Sequence, residues 1–163
     1  RYGLGKETGV DLPNEFFGTI PSRKWKRKKY NRPWYMGETV NTSIGQGNVL
    51  VTPLQMACFT SLIATSHLPT PHFAKKIGDV EYKTKYKDVL TKKELKRLHI
   101  IQKAMYEVCN YPSGTATHYL SLNKKIKIAG KTGTAQVIGI LQDIKKRKLE
   151  HEMAYYSRSH AWF

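Results

Sequence analysis

Lys131-Thr132-Gly133-Thr134 is the stretch whose residue types and order best suit chemistry. It continues an alternating segment that reads as a β-strand. On such a strand Lys131 offers a positive charge that holds a carboxylate and favours deprotonation of a nearby hydroxyl nucleophile. Thr132 adds a hydroxyl donor for the same carboxylate. Gly133 removes a Cβ where a ligand and the nucleophile's helix must approach the backbone. The backbone N–H of Thr134 suits the oxyanion of a tetrahedral intermediate, a donor worth about 2.7–4 kcal/mol in the transition state. Together these groups suit acyl transfer. The bland alternative is an edge strand with a solvated lysine and an ordinary glycine bend, so the surrounding elements matter.

Those elements are legible in outline. Ile126, Ile128 and Gly130 alternate with Lys127, Ala129 and Lys131, predicting one long strand that runs on through Val137. A last strand begins near Ser159, with His160 beside it, and residues 141–152 form a polar connection. Thr91-Lys92-Lys93-Glu94 predicts a capping box that opens an amphipathic helix through Leu95, Leu98, Ile101, Met105 and Val108. It should stop near Asn110, before Pro112 and Gly114, with a polar turn over 113–117. Thr52-Pro53 predicts a second helix to about Thr65, apolar nearly all round and therefore buried. Ile44-Gly45-Gln46-Gly47-Asn48 reads as a tight turn, residues 1–22 as irregular structure, and 66–90 as a loop with room for a short strand near Val80.

Composition sets outer bounds. With 163 residues and ordinary apolar content, the chain has enough material for a core. It carries 28 basic against 12 acidic residues, a formal net charge of +16, which suits an anionic polymer, an anionic membrane surface or nucleic acid without choosing among them. Seven of the basic side chains lie between Arg23 and Arg32, interleaved with Trp25 and Tyr30, and read as a solvated surface loop. Cys58 and Cys109 sit in apolar helical patterns and are expected to be buried thiols. The six histidines lack close metal-ligand spacing, so no metal is expected. Arg1 in place of Met, and the apolar close Ala161-Trp162-Phe163, lead us to expect part of a larger fold.

The strand Ala129-Gly130-Lys131-Thr132-Gly133-Thr134-Ala135-Gln136-Val137 resembles the third strand of class B penicillin-binding transpeptidases, whose Lys-Thr-Gly motif it carries. Gly45-Gln46-Gly47 with Thr52-Pro53-Leu54-Gln55-Met56-Ala57 is similar to that family's turn and buried helix. Gly9 to Pro13, Trp25-Lys26, Pro33 to Thr39, Met105 to Val108 and Gly114-Thr115-Ala116 resemble its penicillin-binding protein 2 branch in particular, in order, across nearly the whole chain.

The resemblance implies an α+β fold, an antiparallel sheet flanked by helices, with residues 1–163 forming the C-terminal portion of a transpeptidase domain. It implies a peptidoglycan D,D-transpeptidase that cross-links stem peptides, needs no cofactor and is acylated by β-lactam antibiotics. Lys131, Thr132, Gly133 and Thr134 take the substrate-binding roles above, Lys131 and Thr134 also the catalytic ones. It further implies an inner-membrane protein anchored through a segment absent from this sequence, with its catalytic domain in the periplasm. The shape-determining protein MreC and the glycosyltransferase RodA are the implied partners, and nucleic acid is not. The family's nucleophile motif, Ser-x-x-Lys, and its Ser-x-Asn motif precede this region. Ser61-Leu62-Ile63-Ala64 lacks the lysine, and Ser121-Leu122-Asn123 fits Ser-x-Asn by letter only. The fragment alone is therefore expected to be inactive. Two other readings compete: a serine β-lactamase or β-lactam sensor, which shares the strand motif, and a basic nucleic-acid-binding module, which rests on charge alone.

Overall fold

The computed structural model describes residues 2–120, 126–135 and 149–162. The chain divides into two compact units, Arg1–Gln102 and Lys103–Phe163. The architecture is α+β, as expected. Among the described residues, its antiparallel pairing is distributed over three two-stranded sheets.

In the first unit, α1 (Arg23–Tyr30), α2 (Met36–Ser43) and α3 (Pro53–Thr65) precede four short strands: β1 (Leu68–Thr70), β2 (Lys76–Ile77), β3 (Val80–Glu81) and β4 (Lys85–Lys87). β1 pairs with β4 so that Leu68 faces Lys87, and β2 pairs with β3 in a hairpin. The start of α3 follows the sequence closely. Thr52 Oγ1 accepts from Gln55 N at 3.1 Å, Gln55 Oε1 accepts from Thr52 N at 3.2 Å, and Pro53 occupies the first turn, where its missing N–H costs nothing. The helix is not buried all round. Gln55, Cys58 and Leu62 are buried, and Ala57, Thr60 and Ala64 on the other side are exposed. Cys58, Leu62 and Leu68 form the core, with Tyr2, Phe59, Val89 and Leu90 against it. Both cysteines are buried and free, and burial, helped by the Glu15 charge, pushes the Cys58 thiol up.

Gln55 is the polar centre of this unit. Its side chain is fully buried, and its Nε2 donates to Lys6 O at 2.7 Å and Phe17 O at 3.0 Å. One amide thus satisfies backbone groups from the irregular N-terminal segment and the cap of α3 together. Alongside it, Thr19 and Leu50 exchange backbone hydrogen bonds of 2.7 and 2.9 Å. Gly18, at φ 63°, makes this approach possible: a Cβ there would lie 2.2 Å from Leu50 O.

The basic stretch 23–32 is a helix and not the expected loop. Ser22 Oγ accepts from Trp25 N at 3.1 Å and caps it, and Asn31 ends it in the left-handed conformation. Lys26 points inward, its ammonium bonded to Glu38 of α2 and set 4.3 Å from the centre of the Tyr35 ring. Glu38 also accepts from Tyr35 N at 2.8 Å, which starts α2, a helix the sequence reading did not contain.

Three carboxylates staple this unit. Asp11 accepts from Phe73 N and Ala74 N, which hold it below its ordinary 3.8. The Lys26 ammonium, then Tyr35 N, hold Glu38 below 4.5. Burial raises Glu15, but the amides of Thr8 and Gly9 outweigh it and leave it lowered. A depressed carboxylate contributes stability that is present above its unfolded value and lost as pH falls through the folded one. The expected result is that thermal stability declines as pH drops below these ordinary values. The decline should be shallower in the double variant Asp11→Asn/Glu38→Gln; parallel curves would refute the assignment.

Helix α4 (Lys92–Asn110) opens on the expected box, with Thr91 N donating to Glu94 at 2.8 Å and Glu94 N to Thr91 at 3.3 Å. Tyr2 adds a bond from its hydroxyl to the same carboxylate. In the second unit the end of α4 is followed by a turn in which Ala116 N returns to Val108 O at 3.1 Å. This buries Cys109 and Ala116 ahead of α5 (Thr117–Leu120). β5 (Gly133–Ala135) and β6 (His160–Trp162) complete the unit.

Candidate active site

The segment that carries Lys131 is held first by α4 and then by β6. Asn110 Nδ2 donates to Ile128 O at 2.7 Å, and Gly130 N donates to Met105 O at 3.1 Å, so the backbone at 128–130 is tied to the last turns of the helix. Those bonds explain why the expected long strand is short. Ile128 O and Gly130 N are given to α4, residues 126–132 adopt no strand, and Ile126 and Ile128 stay 62% and 40% exposed. Strand pairing starts only at Gly133, opposite Trp162, and continues with Thr134 opposite Ala161 and Ala135 opposite His160. Gln136 and Val137 lie outside the described residues, as does most of the 141–152 connection. The final strand begins where expected, one residue after Ser159.

Lys131, Thr132, Gly133 and Thr134 are all exposed. Lys131 Nζ donates to Thr132 O at 2.6 Å, which leaves two of its three N–H donors for another acceptor. Gly133 has no positive φ, and a Cβ there would meet nothing within 4 Å among the described residues. Among the described residues, neither backbone strain nor packing requires glycine there. Thr134 is the middle residue of β5, so its side chain projects opposite to the sites of Gly133 and Ala135. His160 is exposed on β6 in register with Ala135. Arg158 is committed to the turn before β6: its Nε donates to Met153 O at 3.0 Å and its Nη2 to His151 O at 3.2 Å. Lys131 and Lys127 are the cations of the 126–135 segment.

The sequence reading missed two positioning groups, Asn110 and the carbonyl of Met105. Asn110 left a signal: an asparagine closing an amphipathic helix bonds nearby backbone, and its Nδ2 donates to Tyr106 O within the helix at 2.7 Å as well as to Ile128 O. That reading also passed over a second feature of Ser121. With Lys124 it spells Ser-x-x-Lys, ten residues before Lys131; like the Ser-x-Asn letters, it lies outside the described residues.

The penicillin binding protein transpeptidase domain family matches residues 1–163. Among curated relatives, the peptidoglycan D,D-transpeptidase MrdA of Haemophilus influenzae is 35% identical over 170 residues, covering 99% of this chain and 25% of its own length. MrdA of Escherichia coli is 34% identical over 145 residues, covering 86% and 23%. Among solved structures, penicillin-binding protein 2 (PBP2) of Helicobacter pylori, in complex with MreC, has a TM-score of 0.80 and 46% identity over 99% of this chain and 26% of that one. Pseudomonas aeruginosa PBP2, in a complex with WCK 5153, has a TM-score of 0.73 and 35% identity over 83% and 31%. The chain thus spans about a quarter of the length of the curated relatives it matches. With a domain match end to end and a similar backbone in a 46%-identical structure, the chain belongs to the penicillin-binding protein transpeptidase family.

Proposed function

We propose that residues 1–163 are the C-terminal portion of a peptidoglycan D,D-transpeptidase domain and supply its Lys-Thr-Gly strand. The observation that carries the reading is the exposed Lys131–Thr134 run at the head of β5, which follows backbone tied at Ile128 and Gly130 to Asn110 and Met105. A serine from elsewhere in the protein attacks the carbonyl of the penultimate D-Ala of a stem peptide. Lys131 and Thr132 hold the terminal carboxylate, and the Thr134 amide receives the oxyanion as it forms. The terminal D-Ala leaves, and the amine of a neighbouring stem peptide takes the acyl group. The space around the Cβ position of Gly133 among the described residues supports a close approach there by substrate or by the nucleophile's helix. β-Lactams copy the dipeptide and acylate the same serine. The reaction calls for no cofactor.

The likeness to the relatives supports a setting for this activity. A membrane-anchored protein with a periplasmic catalytic domain, active in cell elongation, fits the similarity to MrdA; among the described residues no helix is long and apolar enough to cross a membrane. MreC is a candidate partner because a similar protein is solved with it, and a polymerase of the RodA type fits the likeness to a peptidoglycan synthase complex.

Fluorescent penicillin tests the reading. The intact protein is expected to form a covalent adduct that persists for many turnover times, whereas a β-lactamase would release it quickly. The 163-residue chain alone is expected to remain unlabelled. A labelled isolated chain would move the nucleophile into this sequence, with Ser121 the first residue to substitute, and would overturn the division of labour proposed here.

A further inference from the structure

We propose that α1 is a docking surface for an anionic polymer, and that this polymer is the carboxylate-bearing peptidoglycan strand; the inference rests on the proposed function. Arg23, Lys24, Arg27 and Lys28 are exposed on α1, with Lys29 and Arg32 close by. Arg23 stands one turn from Arg27, and Lys24 one turn from Lys28, about 6 Å apart along the axis. Like charges at that spacing destabilise a helix. Arg23 and Lys24 also oppose the dipole of the first turn, which holds no acidic residue. Among the described residues the carboxylate ion-paired to α1 is Glu38, and Lys26 takes it.

The helix is nonetheless fixed at both ends and from beneath. Ser22 caps it, Asn31 N closes on Arg27 O at 3.0 Å, and Lys26 is only 8% exposed against Glu38 and Tyr35. A row of uncompensated cations is therefore held rigidly despite the local cost. Fixed charge of one sign is the device that recruits an anionic partner.

The other chemistry of α1 narrows the partner. Its sequence, RKWKRKKY, has no aliphatic residue. A helix that lies in a bilayer surface needs an apolar face to insert. Its two aromatic rings pack edge to face at 5.5 Å, and the Lys29 ammonium sits 5.2 and 5.4 Å from their centres. Single-stranded bases stack on a run of open aromatic faces, whereas α1 has one exposed ring, Tyr30, with the half-buried Trp25 set edge-on against it. What α1 offers is charge at regular spacing, and the stem peptides of peptidoglycan present free carboxylates at every repeat.

The test uses the intact protein and purified sacculi in a pelleting assay at low salt. The variant Arg23→Gln/Lys24→Gln/Arg27→Gln/Lys28→Gln is expected to lose binding by about tenfold, the factor that four screened contacts from the lower middle of their usual range supply together. Sacculi whose carboxylates have been converted to neutral amides should fail to retain the wild-type protein. Labelling by fluorescent penicillin should be equal in both proteins, which shows that the variant folds. Loss of labelling in the wild type would instead sink the transpeptidase reading. If the variant pelleted like wild type, or if neutral sacculi bound as well as native ones, the inference would fall. It would also fall if anionic phosphatidylglycerol vesicles or duplex DNA depended on the four residues while sacculi did not.

Discussion

Replacing Lys131 with alanine in the intact protein is expected to slow acylation by fluorescent penicillin about a hundredfold or more. The reasoning is electrostatic. On the proposed reading, the substrate's terminal carboxylate would gain from a cation beside the strand, and so would the oxyanion as it develops. Losing one well-placed stabilising donor in such a site typically costs a factor of about 100 to 1000. Lys131 is suited to the task because its ammonium uses one donor on Thr132 O and keeps two. It is also exposed, so its removal should leave the fold intact. Lys131→Arg separates charge from shape: a planar guanidinium restores the charge but not the compact ammonium geometry, and recovery should be partial. The measurement is the second-order acylation rate, with thermal stability read in parallel. An unchanged rate in Lys131→Ala would remove Lys131 from the site and, with it, the main reason to place chemistry at the head of β5.

How far the sequence revealed this arrangement varied with the range of the forces involved. The caps of α3 and α4 were legible because Thr52 with Gln55, and Thr91 with Glu94, act within one turn. The strand motif was legible as letters, and β6 began where an apolar run met it. Its limits were not. Alternation over 126–131 counts side chains, whereas the backbone at 128–130 is claimed by Asn110 and Met105, some twenty residues upstream. Helix α1 was missed for a related reason. Seven cations in ten residues look like a solvated loop until Lys26 is seen to turn inward onto Glu38, a contact that no local pattern encodes. The apolar look of α3 misled in the opposite direction, because the residue it buries most completely is polar.

That residue carries the second large effect. Gln55→Leu in the intact protein is expected to raise the rate of backbone amide exchange in the segments around Lys6–Thr19 and Thr52–Gln55 by roughly 30- to 150-fold, equivalent to about 2–3 kcal/mol of local stability. Leucine fills a similar volume, so a cavity is not the cause. The cost arises because Lys6 O, Phe17 O and Thr52 N lose their partner together, and each orphaned group costs about 1–3 kcal/mol where water cannot replace the bond and less where it can. Gln55→Glu sharpens the test. A carboxylate can still accept from Thr52 N, but it sets a second acceptor against the two carbonyls that Nε2 now serves. Glutamate should therefore be at least as damaging as leucine at neutral pH and should improve on acidification, when the protonated acid regains a donor. If glutamate were tolerated, or if exchange in the 6–19 segment were unchanged in both variants, Gln55 would be a bystander. The order of the N-terminal segment would then have to come from other contacts, such as the Thr19–Leu50 bridge and the Glu15 and Asp11 carboxylates.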